Sequence, residues 1–416
     1  MSTLTAALKT ERGRHVAAAM VLTGLSACFL FCGYEFIRTG LESIFIAEFG
    51  ARYIPYAMVC LPFMMGLLIY LYGRLLSAVG GKRAMAGSML FSIAVFAGSF
   101  FALKTGFKAL VFFLYVFKQS YVVIISEQYW SFVNSTLKDE EGKVFNGPVA
   151  GLGALGSIIG GYLLSRYAVT LHTETFILLC AVVMVPAMLL FWLAYEKAGE
   201  PKPKPEEAGG RQGHVHLSIL KENRTVLYIA LIIFATQVVA TVMELNFYTL
   251  VQGALSDKDL RAAYLGGFWM KVNIFSFCMQ FLLTPILLRR IPIRGIQSAI
   301  PAVHLATCAL MLVNPQLGVA ALALLLFKGM DYSIFRASKE TLYIPFSYDT
   351  RYRAKQVADA FTYRFSKGLT AAVISAVSAA GAIPVALYAS AGLLFSGVWM
   401  GISFPLTAKR DKVTGN

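Results

Sequence analysis

The stretch YEKAGEPKPKPEEAGGRQGHVH, Tyr195 to His216, is the only part of the chain with a strong Pro, Gly, Glu and Lys bias and no apolar period. Such a composition reads as a linker and not as a packed element. The chain on either side of it is strongly apolar. Of its 416 residues 57% are hydrophobic and only 14% charged, a balance that excludes a soluble globular protein of this length. Apolar runs of about 17 to 25 residues, the length a helix needs to cross a bilayer, recur on both sides of the linker. In hydrocarbon a segment must satisfy its own backbone polar groups, which demands helices.

Twelve spans are expected, at roughly 16–40, 53–76, 84–103, 109–137, 146–166, 174–195, 225–252, 263–288, 296–313, 317–337, 355–381 and 384–406. Six precede the linker and six follow it. The fold class is therefore an all-α membrane protein of about twelve transmembrane helices in two pseudo-symmetric six-helix bundles. The N-terminal bundle covers 1–195, a cytoplasmic linker 196–224 and the C-terminal bundle 225–416. Faint echoes at a spacing of about 210 residues support a duplication, as in parallel-repeat transporters: Phe117-Lys118 recurs as Phe327-Lys328, and Glu35 as Glu244.

Basic residues sort by loop. Arg74, Lys82, Arg83, Lys138, Lys143, the linker lysines, Arg289, Arg290, Arg294, Arg351 and Arg353 fall on one side, and few fall on the other. By the positive-inside rule both termini and the linker are cytoplasmic, and a bacterial inner membrane is the expected location. The polar start (Lys9, Glu11, Arg12, Arg14) leads into a first span too long for a signal sequence, so it reads as retained. The net charge of +15 is spread over these short loops and reflects topology, not nucleic-acid binding. The loop GRLLSAVGGKR, Gly73 to Arg83, resembles the loop signature of the major facilitator superfamily, with Ser77 where that signature has an acid.

Catalytic and cofactor chemistry finds no support. The five histidines are scattered, no phosphate-binding loop ends in Lys-Ser/Thr, and all six cysteines lie inside spans without metal-type spacing. The chain reads as a non-enzyme without cofactor. Gly153, Ser157 and Gly161, at a spacing of four, suit close helix packing instead of a dinucleotide loop.

Ionisable residues inside spans are costly and therefore informative. In FKGMDYSIFRASKETLYIP, Phe327 to Pro345, the tenth span carries Lys328, Asp331 and Arg336, with Lys339 and Glu340 at its end. On an α-helical wheel, Lys328, Asp331, Arg336 and Lys339 share an arc of roughly 140°. Glu35 and Arg38 lie in the first span, Lys118 and Glu127 in the fourth, Glu244 in the seventh, Lys271 in the eighth, and Arg364 in the eleventh. Lys118 sits about half a turn round from Glu127, whereas Trp130 and Asn134 share the Glu127 face. Basic groups outnumber acidic ones, which suits a small anionic substrate held in a water-filled cavity. Simpler roles compete. Glu35 and Arg38, spaced i, i+3, can neutralise each other, and Lys339 with Glu340 can snorkel at a helix end.

The run SKETLYIPFSYDTRYRAKQVADAFTYRFSKG, Ser338 to Gly368, resembles the nucleotide transporter (ATP/ADP translocase) family, whose members carry a T-K-E-M-A-Y-I-P-like motif. Lys339, Glu340, Tyr343, Ile344 and Pro345 match its first part, and Lys355, Asp359, Arg364 and Gly368 the second. SEQYWSFVNSTL, from Ser126, is similar to the family's E-x-W-x-S-x-x-x-S run, shifted by one at the tryptophan. The resemblance implies a facilitator-like fold and ATP/ADP exchange, with Lys339 and Glu127 at positions the family uses for its nucleotide.

The expected function is secondary transport of an organic anion, a nucleotide or other phosphorylated metabolite, by alternating access. Lys118, Glu127, Glu244, Lys271, Lys328, Arg336, Lys339 and Arg364 are the expected substrate-binding residues. Glu35, Arg38, Asp331 and Glu340 are the expected gating or coupling residues. The alternatives are a proton-coupled exporter, a lipid flippase, and a non-transporting membrane scaffold. Partners are the substrate and membrane lipid, and the chain is expected to act as a monomer.

Overall fold

Apolar segments of this length leave the backbone no satisfied state but the helix, and the computed structural model is helical throughout. It describes residues 10–200, 219–343, 346, 354 and 356–411. The linker core at 201–218 lies outside these residues, as do Pro345, Asp349, Arg351, Arg353 and Lys355. There is no strand among the described residues.

The helices are α1 (Glu11–Glu48), α2 (Ile54–Leu103), α3 (Lys108–Thr136), α4 (Asp139–Leu171), α5 (Thr175–Ala198) and the short α6 (Ile219–Glu222). There follow α7 (Arg224–Ala254), α8 (Lys258–Cys278), α9 (Thr284–Arg290), α10 (Ile293–Val313), α11 (Leu317–Met330), α12 (Arg336–Tyr343), α13 (Tyr363–Ala380) and α14 (Val385–Asp411). Three π-helical segments join some of them: Met279–Leu283 between α8 and α9, Asp331–Phe335 between α11 and α12, and Gln356–Thr362 before α13.

Ten described runs are long and apolar enough to cross a bilayer. The difference from twelve has two physical sources. The second and third spans, expected at 53–76 and 84–103, are two helices that meet within α2 (Ile54–Leu103) at a kink with no loop between them, so they count as one run. Its break is Gly80, whose φ of 78° is left-handed and open only to glycine at no steric cost. The eleventh expected span, 355–381, is divided between the π segment Gln356–Thr362 and α13, and neither part alone counts as a crossing run.

The Gly80 bend is fastened from α5. The Glu200 carboxylate accepts from the backbone N–H groups of Gly81 and Lys82, and Glu196 pairs with the Lys82 ammonium at 3.1 Å. Trp192 Nε1 donates to Glu196 at 2.9 Å and its ring lies 3.9 Å from Lys82 Nζ. Acids from the end of α5 thus serve the loop whose own acidic position holds Ser77.

The chain forms two compact units. Unit 1 comprises Met1–Glu48, Cys60–Gln212 and Asp257–Met270; unit 2 comprises Phe49–Val59, Gly213–Ser256 and Lys271–Asn416. In unit 1, α1 packs on α3, α4 and α5; in unit 2, α7 packs on α11, α13 and α14. The first long helix of each half is the central one of its unit. Between α1 and α4 the approach is backbone to backbone: a Cβ on Gly156 collides with the Cys28 carbonyl, and one on Gly160 falls 2.5 Å from the Cys32 carbonyl oxygen. Cys28 and Cys32 therefore serve as small packing groups, and both are free thiols. Gly161 faces elsewhere: a Cβ there would fall 3.0 Å from the Gly266 carbonyl oxygen of α8.

Candidate functional site

Two groups of buried charge emerge, one in each unit. In unit 1, α1 places Glu35, Arg38 and Glu42 on one face by their i, i+3, i+7 spacing, and α3 brings up Tyr115 and Lys118 one turn apart. Lys118 Nζ donates to Glu42 Oε2 at 2.7 Å and to the Arg38 carbonyl at 3.0 Å. The Tyr115 hydroxyl donates to Glu42 Oε1 at 2.9 Å, and the Lys118 ammonium lies 4.1 Å from the Tyr115 ring. At 1% and 5% side-chain exposure, Lys118 and Glu42 are sealed from solvent. Such a pair holds only because each charge has several partners, since desolvation otherwise outweighs the attraction. Arg38 pairs with Glu35 at 3.1 Å, and its guanidinium lies 3.7 Å from the Trp269 ring.

The other face of α3 differs. Gln119, Glu127, Trp130, Ser131 and Asn134 form a polar stripe; Glu127, Ser131 and Asn134 are exposed, and Gln119 and Trp130 half-buried. A carboxylate there is unsuited to lipid. The stripe separates Glu127 from Lys118, as their half-turn offset predicts.

In unit 2, α7 supplies Glu244 and α11 supplies Lys328, which pair at 3.2 Å with 17% and 11% of their side chains exposed. The arrangement resembles that of unit 1, where the echoed Lys118 also pairs with a glutamate of the first helix of its half, but there the partner is Glu42 and not Glu35, the position that echoes Glu244. Asp331 opens the adjacent π segment, half-buried and within electrostatic reach of Lys328, as are Tyr332 and Tyr363. One turn beyond that segment Lys339 Nζ pairs with Asp359 Oδ1 at 2.6 Å, and the Tyr343 hydroxyl donates to the same oxygen at 3.0 Å. Asp359 sits on the π segment Gln356–Thr362, so this contact ties it to α12.

The 140° arc expected for Lys328, Asp331, Arg336 and Lys339 does not survive. A π turn closes on i→i+5 bonds and inserts extra rotation, so the α-helical wheel loses register across Asp331–Phe335. Arg336 and Glu340 accordingly emerge exposed while Lys339 is half-buried. Lys271 on α8 and Arg364 on α13 are exposed as well. Among the described residues Lys271, Arg336, Arg364 and Glu127 form no ion pair.

Two participants escaped the sequence reading of the site. Glu42 lies beyond the expected border of the first span at 40, yet its i+7 spacing from Glu35 was a usable signal. Asp359 was visible only as a motif position, because its partner Lys339 lies twenty residues away.

By sequence the chain matches no family profile and no curated protein. By structure it is similar to the nucleoside transporter NupG, with a TM-score of 0.63, 14% identity, and coverage of 94% of this chain and 98% of that one. A D-xylose–proton symporter gives 0.65 at 12% identity over 92% of this chain and 97% of its own. A bacterial homologue of the iron transporter ferroportin, in an inward-facing state, gives 0.63 at 12% identity over 91% and 98%. At these identities the likeness establishes the fold: the chain is an integral membrane protein with a major facilitator-like fold.

Proposed function

We propose that the protein is a secondary transporter working by alternating access, and that its substrate is a small organic anion, a nucleotide or other phosphorylated metabolite. The fold likeness to solved transporters, which extends over nearly the whole chain, supports the first part. The observation that carries the second is the surplus of uncompensated base. Lys118, Lys328 and Lys339 are each matched by a carboxylate, whereas Lys271, Arg336 and Arg364, all residues of unit 2, are exposed without an ion pair among the described residues. Cations so placed attract an anion, and arginine offers a phosphate two parallel hydrogen bonds.

In unit 1, Glu127 remains a proposed substrate-binding residue, with the acceptors and indole of its polar stripe beside it. Glu244, Asp331, Glu35 and Arg38 act as coupling groups by exchanging partners between states, and Glu340 as a gating group. The motif resemblance to ATP/ADP translocases gains a physical basis in Lys339, Tyr343 and Asp359, since separate parts of the motif meet in one contact. We place the protein as a monomer in a bacterial inner membrane, with both termini cytoplasmic and the halves 1–195 and 225–416, apart from the exchanged segments Phe49–Val59 and Asp257–Met270, as its moving bundles.

The test is the thermal midpoint of the purified protein against nucleotides, sugar phosphates, dicarboxylates, nucleosides and lipids. A ligand at about 100-fold its dissociation constant stabilises the folded state by about 2.7 kcal/mol. Nucleotides or sugar phosphates are expected to raise the midpoint, and Arg336→Gln with Arg364→Gln to remove the shift. A shift from lipids or hydrophobic cations alone favours the flippase or exporter reading.

A further inference from the structure

The π segment Asp331–Phe335 sits near the middle of the membrane-crossing run Leu317–Tyr343, within unit 2. Its Asp331 and Tyr332, with Glu244 of α7, lie within electrostatic reach of both Lys328 on α11 and Tyr363 at the start of α13. Both tyrosines are open, Tyr332 at 39% and Tyr363 at 42% exposure, and among the described residues neither ring stacks on another and neither hydroxyl is hydrogen-bonded. A tyrosine facing lipid carries its hydroxyl to the membrane interface. These two hold theirs beside charged groups inside a span, which places their open ring faces toward water and not hydrocarbon.

Asp331 is the unmatched charge of the group. Three bases lie within electrostatic reach of it, Lys328, Lys339 and Arg336. Lys328 is committed to Glu244 at 3.2 Å and Lys339 to Asp359 at 2.6 Å, and Arg336 emerges exposed beyond the π segment. Asp331 itself, half-buried, forms no ion pair and accepts no side-chain hydrogen bond among the described residues. A carboxylate so placed within a span is costly until a cation meets it. Its two neighbours favour the same visitor, since a tyrosine face attracts a cation through the ring quadrupole.

We propose that Asp331, Tyr332 and Tyr363 form a subsite for a cationic nitrogen, so that the substrate is a zwitterionic phosphate bearing a primary ammonium as well as its anionic group. This rests on the transport reading, which assigns the phosphate to Arg336 and Arg364, and deepens it by adding a positive end to the molecule. The sequence sets the two functions side by side: Arg336 follows Tyr332 by four residues, and Arg364 follows Tyr363 directly. Asp331 accepts charge-assisted hydrogen bonds from the ammonium, and the ring faces cover it. Asp331 then couples to transport by exchanging the protein's bases for the substrate's own cation. Aminated sugar phosphates and aminoalkyl phosphates carry both charges; their hydroxylated counterparts carry only the anionic one.

Calorimetric titration of the intact protein in lipid nanodiscs tests this with two matched pairs: glucosamine 6-phosphate against glucose 6-phosphate, and O-phosphoethanolamine against 2-hydroxyethyl phosphate. Within each pair the ligands differ only in an ammonium for a hydroxyl. The aminated member of at least one pair is expected to bind about tenfold tighter, the scale of a cation–π contact joined by a charge-assisted hydrogen bond. Asp331→Asn, nearly isosteric, should bring the two affinities together, and Tyr332→Ala should narrow the gap while Tyr332→Phe, which keeps the ring, preserves most of it. Equal affinities within both pairs overturn the subsite alone, as does a preference that survives in Asp331→Asn. Binding of no member of either pair overturns the subsite and the phosphate reading together.

Discussion

Lys118 shows what one buried charge demands. Removing it as Lys118→Met takes the ammonium from the sealed Glu42 carboxylate while the Tyr115 hydroxyl bond remains, a change expected to cost about 3–5 kcal/mol. The double variant Lys118→Met/Glu42→Gln is expected to recover most of the loss, because the introduced amide carries no charge and still accepts from Tyr115. Chemical or thermal unfolding of the three proteins checks this. A single-variant loss that the double variant does not reverse would mean that the pair contributes through packing alone. Lys118 was legible in the sequence as an intramembrane charge. Its partner was not, because pairing across 76 residues is a property of the fold. Glycines obey the same logic. At Gly156 any side chain meets the Cys28 backbone, which cannot step aside as a flexible side chain does. Gly156→Val should therefore reach or exceed the upper end of the usual overpacking cost of about 1–3 kcal/mol, read as a fall in thermal midpoint.

The elements show where periodicity informs and where it misleads. Span positions followed well from apolar length, since crossing hydrocarbon leaves no other structure. Two features did not follow. At the Gly80 bend the second and third spans meet with no loop between them, and Glu200 and Glu196, at and just beyond the end of α5, hold that turn. Gly80→Ala should destabilise the protein, since alanine at φ 78° is strained and its Cβ lies 2.7 Å from the Glu200 carboxylate. The π segment Asp331–Phe335 is the second feature. A wheel drawn at 100° per residue assumes an unbroken α-helix, and no propensity marks a π turn in advance. Deleting Ser333 should restore α geometry and rotate Lys339 by about 100° relative to Lys328, breaking its contact with Asp359. Folded protein with lost transport is the expected result, with midpoint and uptake measured on the same sample. Unchanged uptake would remove the π segment from the mechanism.

At the scale of the whole molecule, the linker and the twelve-span count led directly to a facilitator-like fold that the structural comparisons support. The units are not the two halves of the sequence, however. Unit 1 takes in Asp257–Met270 from the second half, and unit 2 takes in Phe49–Val59 from the first. No pattern in the sequence marks such exchanges, because packing partners and not periodicity decide them. The candidate site was legible as a set of charges and illegible as a set of pairs. Three of the expected substrate-binding bases proved to be compensated by Glu42, Glu244 and Asp359, and the account of the substrate now rests on Lys271, Arg336 and Arg364. The most direct test of a carrier for phosphorylated anions is exchange by the purified protein in liposomes preloaded with unlabelled nucleotides or sugar phosphates. Labelled substrate of one of these classes should accumulate only in preloaded vesicles, with Arg336→Gln and Arg364→Gln slowing it. Folded protein that exchanges no member of the panel, or that moves nucleosides or lipids equally well, would contradict the account.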